Sequence, residues 1–223
     1  MGTLYPEMSC ETLFAIKPDD TDTIKQVDIY QVVSKLALLH TVLIAFSVPY
    51  MICVPNGCQP FGYINTISDG IRDNTVLAST LWGAGMTWVT ASRYLGLSGS
   101  SFLYECIGHV CIVVSVYGSI ITIRYDTLKS PHVPAAILWV VSSFLFHFCV
   151  TIQSSAKRSR AACCVLIFGC CSGFVYIILF SVVVSNQSHY GNVTLSTLSL
   201  FQVATVLCIT ILDAVQCLQL LNI

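Results

Sequence analysis

Long apolar runs, each closed by charged or turn-forming residues, dominate the pattern of this chain. A helix needs about 20 apolar residues to cross bilayer hydrocarbon. Runs of that order occur at Lys35–Val54, Thr75–Leu95, Phe102–Ile123, Val133–Ile152, Ala161–Ser185 and Leu195–Cys217. Any one of them could be the buried core helix of a soluble domain. Six in a chain of 223 residues, joined by connections of about 7 to 20 residues, point elsewhere. The pattern predicts an all-α polytopic membrane protein, a six-helix bundle over residues 35–218.

The flanks differ in kind. Residues 1–34 hold Glu7, Glu11, Asp19, Asp20, Asp22 and Asp28 and no continuous apolar stretch, so they are expected to form an acidic cytoplasmic segment with a short amphipathic arm, DTIKQVDIYQVVSKL, leading into the first span. A basic start followed directly by an apolar core, the mark of a cleavable signal peptide, is missing. Met1-Gly2 suggests myristoylation, but Pro6 stands where Ser or Thr is wanted. Residues 219–223 are expected to be a short cytoplasmic tail.

Composition sharpens this picture. The chain is 55% hydrophobic and 9% charged, with a mean hydropathy of +0.78. That is more apolar surface than a soluble domain of this size could bury. A net charge of −1 argues against a nucleic-acid footprint, and no phosphate-cradling GxxxxGK[ST] loop occurs. Membrane lipids and another integral or peripheral membrane protein are the expected partners.

Orientation rests on two independent signals. Lys157, Arg158 and Arg160 follow the fourth run and Arg93 ends the second; placing these basic positions in the cytoplasm puts both chain ends inside. The segment NQSHYGNVT then faces outward, and its acceptors Asn186 and Asn192 are candidate glycosylation sites there. Arg124 and Lys129 lie in an outer loop, against the rule, with Asp126 between them.

Cysteine usage follows the same geometry. Cys53 and Cys58 bracket Val-Pro-Asn-Gly, a turn that favours a disulfide on the oxidising side; alternatively Cys53 is a small apolar residue still within the membrane. Cys163 and Cys164 follow the basic loop, a setting for reversible palmitoylation, or else they pack at a helix start. Neither Cys-x-x-Cys nor zinc-type Cys/His spacing is present, and no metal or cofactor is expected.

Ionisable residues within spans are candidates for function because lipid makes them costly. His40, Glu105, His109, His147 and Asp213 all fall in the expected cytoplasmic third, with Glu105 and His109 four apart on one helix face. They could line a polar pocket or a proton relay, or snorkel and cap helix ends. Gly83-Ala84-Gly85 and the Gly169, Gly173 pair would allow close helix approach.

Two segments resemble a known family. PFGYINTISDG, Pro60 to Gly70, followed by an apolar span, is similar to the first lumenal loop and second helix of the DRAM/Frag/Sfk family. That family includes damage-regulated autophagy modulators, regulators of phosphatidylinositol 4-kinase and a Golgi protein that remodels GPI-anchor lipids. YGSIITIRYDTLKSPHVPAAILWV resembles its third helix and the opening of its fourth, through Gly118, Tyr125, His132, Ala135 and Ala136. The basic loop, a helix with Gly173 and a six-helix count also fit, so the likeness covers most of Lys35 to Leu218. Where the family has Pro-Glu-Ser after its Ser-Asp, this chain has Arg72-Asp73-Asn74-Thr75; where it has Glu-Trp, this chain has Gln202-Val203.

The loss of both carboxylates leaves Ser68, Asp69 and His132 as the outer polar residues of interest, or as a turn residue, a helix cap and a loop residue. For most branches the resemblance implies a non-enzymatic modulator or accessory subunit, in an endomembrane or lysosome or at the plasma membrane. The alternatives are a lipid-remodelling enzyme and a channel or transporter accessory subunit. Short outer loops and the lack of a nucleophile–base spacing favour the modulator.

Overall fold

The computed structural model describes residues 20–53, 66–67, 70–71, 75–97, 100–124, 131–153, 160–185 and 192–221. Six helices follow one another: α1 (Asp20–Cys53), α2 (Thr75–Leu97), α3 (Phe102–Arg124), α4 (His132–Gln153), α5 (Arg160–Ser185) and α6 (Asn192–Leu221). Each expected apolar run lies on one of them, save Val54, which is outside the described residues. Strands are absent among the described residues.

Two features differ from expectation. The arm before Lys35 is one continuous helix with the first apolar run, starting at Asp20. Once an apolar helix is nucleated, each added residue gains a backbone hydrogen bond at little further cost. More consequentially, among the described residues five helices are long and apolar enough to cross a membrane, and α2 is not one of them. Its 23 residues would give a length of about 34 Å, but Arg93, three glycines and repeated Ser and Thr dilute its apolar character.

The helices run alternately up and down. At one end Ser100 Oγ, ahead of α3, donates to Gln153 Oε1 at the close of α4. At the other, the backbone N–H of Ile67 donates to Gln202 Oε1 of α6 at 2.8 Å. Helix α6 is the hub, packing on α1, α2, α4 and α5. Three apolar clusters fill the bundle. Ile44, Val48, Ile67, Ile71, Ala78, Trp82 and Val206 occupy the Ile67 end. Val140, Phe144 and Leu166 join Cys208 and Leu212 along α4, α5 and α6. Leu97, Cys111, Ile112 and Phe146 lie towards the Gln153 end.

Outside the bundle the pattern inverts that of a soluble protein. Phe46 is 76% exposed and Phe102 82% exposed, whereas Ser115 and Ser143 are fully buried. Buried hydroxyls mostly donate to carbonyls of their own helix, as Thr41 does to Ala37 and Thr205 to Phe201, each at 2.7 Å. This is how a helix carries Ser and Thr where water is scarce.

Candidate functional site: a buried ionic network

Arg93 does not sit at a helix end in contact with an aqueous loop. It is 2% exposed and reaches into the bundle from the last turns of α2. Its guanidinium grips Asp213 of α6 in a two-pronged pair, Nε to Oδ1 at 2.8 Å and Nη2 to Oδ2 at 2.9 Å. The remaining Nη1 donates to Ser115 Oγ on α3 at 3.0 Å and Ser143 Oγ on α4 at 3.4 Å. Those two hydroxyls are 2.9 Å apart. The ring of Phe146 lies 5.3 Å from the guanidinium carbon, close enough for a cation–π contact. One side chain thus ties four helices together.

His147 completes the group. Its Nε2 lies 3.1 Å from Asp213 Oδ1, the oxygen that also accepts from Arg93 Nε. This contact is poorly aligned for a hydrogen bond, and Nε2 makes none among the described residues. Burying two opposite charges is costly unless they are paired and their remaining donors used, and both conditions are met here. Ser143 and His147 are one turn apart on α4, yet the Ser143 hydroxyl bonds Arg93 and Ser115. Ser, His and Asp are therefore close together while the proton relay of a nucleophile is not assembled.

Of the five ionisable residues expected together, only His147 and Asp213 meet. His40 Nδ1 bonds the Leu36 carbonyl of its own helix at 2.9 Å. His109 stacks against Tyr94 with ring centroids 5.2 Å apart, and Glu105 stands half-buried in the first turn of α3. The expectation failed for these three because shared depth does not bring side chains to a shared helix face. Arg93, expected at the cytoplasmic interface, is instead the buried partner of Asp213. Its opposite charge to Asp213 at similar depth was the available signal.

At the Ile67 end, Gln202 does unexpected work. Besides accepting from Ile67, its Nε2 donates to Tyr176 Oη of α5 at 3.2 Å. The Gln202 amide thus ties Ile67 to α5 and α6. His132 opens α4 and is buried, 3% exposed, so it is not a surface loop residue. Ser68, Asp69, Cys58, Tyr125 and Asn186 lie outside the described residues, as do the side chains of Cys53 and Asn192, and with them the expected disulfide and glycans. The described cysteines are free thiols, Cys163 half-buried and Cys164 exposed.

Two small cavities flank the tilted ring pair Trp82 and Trp139, whose centroids are 6.0 Å apart. One, of about 30 Å³, reaches Arg93 and Asp213; the other, of about 20 Å³, lies beneath Gln202 and Tyr176. Each has room for about a water molecule.

The outer face of α2 is also unlike its neighbours. Ser79, Thr80, Gly83, Ala84 and Thr87 are exposed there, and a Cβ added at Gly83 would meet nothing within 4 Å. Gly85 instead packs against Ile44 and His40 of α1, so only part of the Gly-Ala-Gly segment makes the expected close approach. On α5 the exposed large side chains are instead apolar, among them Ile167, Phe168, Phe174 and Ile178. No family model, curated protein or solved structure matches this chain, so its likeness to DRAM/Frag/Sfk proteins rests on the sequence motifs alone.

Proposed function

We propose that this chain is a non-enzymatic integral membrane protein whose six helices all cross the bilayer, with the Gln153 end in the cytosol, and that it acts as a modulator or accessory subunit of another membrane protein. The observation that carries this reading is the exposed face of α2. A helix too polar to be a favourable lone span turns Thr80, Gly83, Ala84 and Thr87 outward. Lipid gains little from such a face, whereas a second helix gains close backbone approach and hydroxyl contacts. The loop motifs resembling DRAM/Frag/Sfk proteins support a role in lipid handling or autophagy, in an endomembrane or at the plasma membrane.

A photo-crosslinking residue at position 83, compared with one at position 174 in native membranes, tests this reading. Discrete protein adducts are expected from position 83 and lipid adducts from position 174. Lipid adducts alone at both positions would remove the basis for a partner.

The contact of His147 with Asp213 favours one alternative, a lipid-remodelling enzyme that uses this pair for proton transfer. Lipid turnover by purified protein that is lost in His147→Gln would establish that alternative.

A further inference from the structure

The Gln153 end of α5 carries chemistry that the ionic network does not use. Cys163 and Cys164 follow the basic stretch Lys157, Arg158 and Arg160. Cys163 is half-buried, while Cys164 is exposed. At helical spacing beyond Cys164, Phe168, Cys171, Phe174 and Ile178 are all exposed on the same side. Helix α5 is also the most apolar and least buried of the five candidate spans. A continuous lipid-facing track thus begins at a free thiol about 6 Å along the helix from Arg160.

We infer that Cys164 is a site of S-acylation by a long-chain fatty acid, which lies along the Phe168–Phe174 track. The inference rests on the cytosolic placement of the Gln153 end proposed above. In the step, Cys164 Sγ attacks the carbonyl carbon of a long-chain acyl-coenzyme A, directly or through a membrane acyltransferase. A new carbon–sulfur bond forms, the bond to the coenzyme A sulfur breaks, and the thiol proton ends on the departing coenzyme A thiol, with no change of oxidation state. Coenzyme A is polyanionic, so Arg160, one helical turn before Cys164, favours its approach.

The other exposed thiols provide internal controls. Cys170 and Cys171 lie about 15 Å along the helix from Arg160, too deep for a donor at the interface. Cys106 is exposed near the start of α3, but its neighbour is Glu105 and no basic run adjoins it. The pattern therefore selects Cys164 from the four exposed cysteines among the described residues.

The test is acyl–polyethylene glycol exchange on the full-length chain expressed in eukaryotic cells. One hydroxylamine-dependent mass shift is expected, lost in Cys164→Ser and kept in Cys163→Ser, Cys106→Ser and the Cys170→Ser, Cys171→Ser double variant. A shift that persists in Cys164→Ser overturns the assignment. Labelling of Cys164 by a membrane-impermeant maleimide, after hydroxylamine, separates the two ways of failing. A thiol reached from the cytosol with no mass shift overturns acylation and leaves the orientation standing. A thiol reached only from the opposite face overturns the orientation and the inference together.

Discussion

Arg93 is the residue on which the interior depends. Its three guanidinium nitrogens donate four hydrogen bonds, two to Asp213 and one each to Ser115 and Ser143, so the Asp213 carboxylate is paired at both oxygens. Removing one partner of such a pair strands the other in a water-poor interior. Arg93→Ala is therefore expected to destabilise the bundle by about 3–5 kcal/mol, whereas Arg93→Met combined with Asp213→Leu recovers most of that loss. Reversible unfolding in mixed detergent micelles measures both, and equal losses in the single and double variants would contradict the pairing. Arg93→Lys should fall between them, since an ammonium cannot reproduce the two-pronged grip. Either charge could be read from the sequence as unusual within an apolar run. Opposite charge at similar depth makes their union possible without fixing it, because Asp213 is 120 positions away and the rotation of each helix decides which side chains face inward.

Helix packing turns on two glycines with opposite roles. At Gly118 of α3 an added Cβ would stand 2.7 Å from the Ala135 carbonyl oxygen and 2.8 Å from the Trp139 amide nitrogen. Both are backbone atoms of α4, so the helices themselves would have to separate. Gly118→Ala is expected to cost about 1–3 kcal/mol of bundle stability. Gly83→Ala, on the open face of α2, meets no neighbour and is expected to be neutral or to gain up to about 1 kcal/mol from helix propensity. The same unfolding assay ranks the two variants, and a neutral Gly118→Ala would mean that α3 and α4 are not in close contact. Of the two, the sequence marks Gly83 as a small residue suited to close helix approach, while Gly118 enters only through the family resemblance. Which one faces a helix and which faces outward depends on crossing geometry, to which hydropathy is blind.

On the scale of the whole molecule, the orientation proposed from the basic segment around Arg158 has a direct consequence. If the Ile67 end is lumenal, Asn186 and Asn192 are on the side where glycan is added. Endoglycosidase treatment of protein from secretory-pathway membranes is then expected to lower its mass. That shift should be absent from the Asn186→Gln, Asn192→Gln double variant, and an acceptor introduced within residues 154–159 should stay unmodified. Glycan at that introduced acceptor would invert the whole arrangement.

The sequence by itself determined which segments are helical and apolar, since transfer from water to hydrocarbon is close to a sum over residues along a run, and each expected run is helical. The same sum leaves α2 outside the five apolar helices among the described residues; only the tertiary structure decided that α2 supplies the cation for Asp213, that His147 rather than Glu105 or His109 meets that carboxylate, and that Gln202 holds Ile67. Those outcomes depend on the rotation and crossing of helices distant in sequence, and a profile summed along the chain carries no information about either.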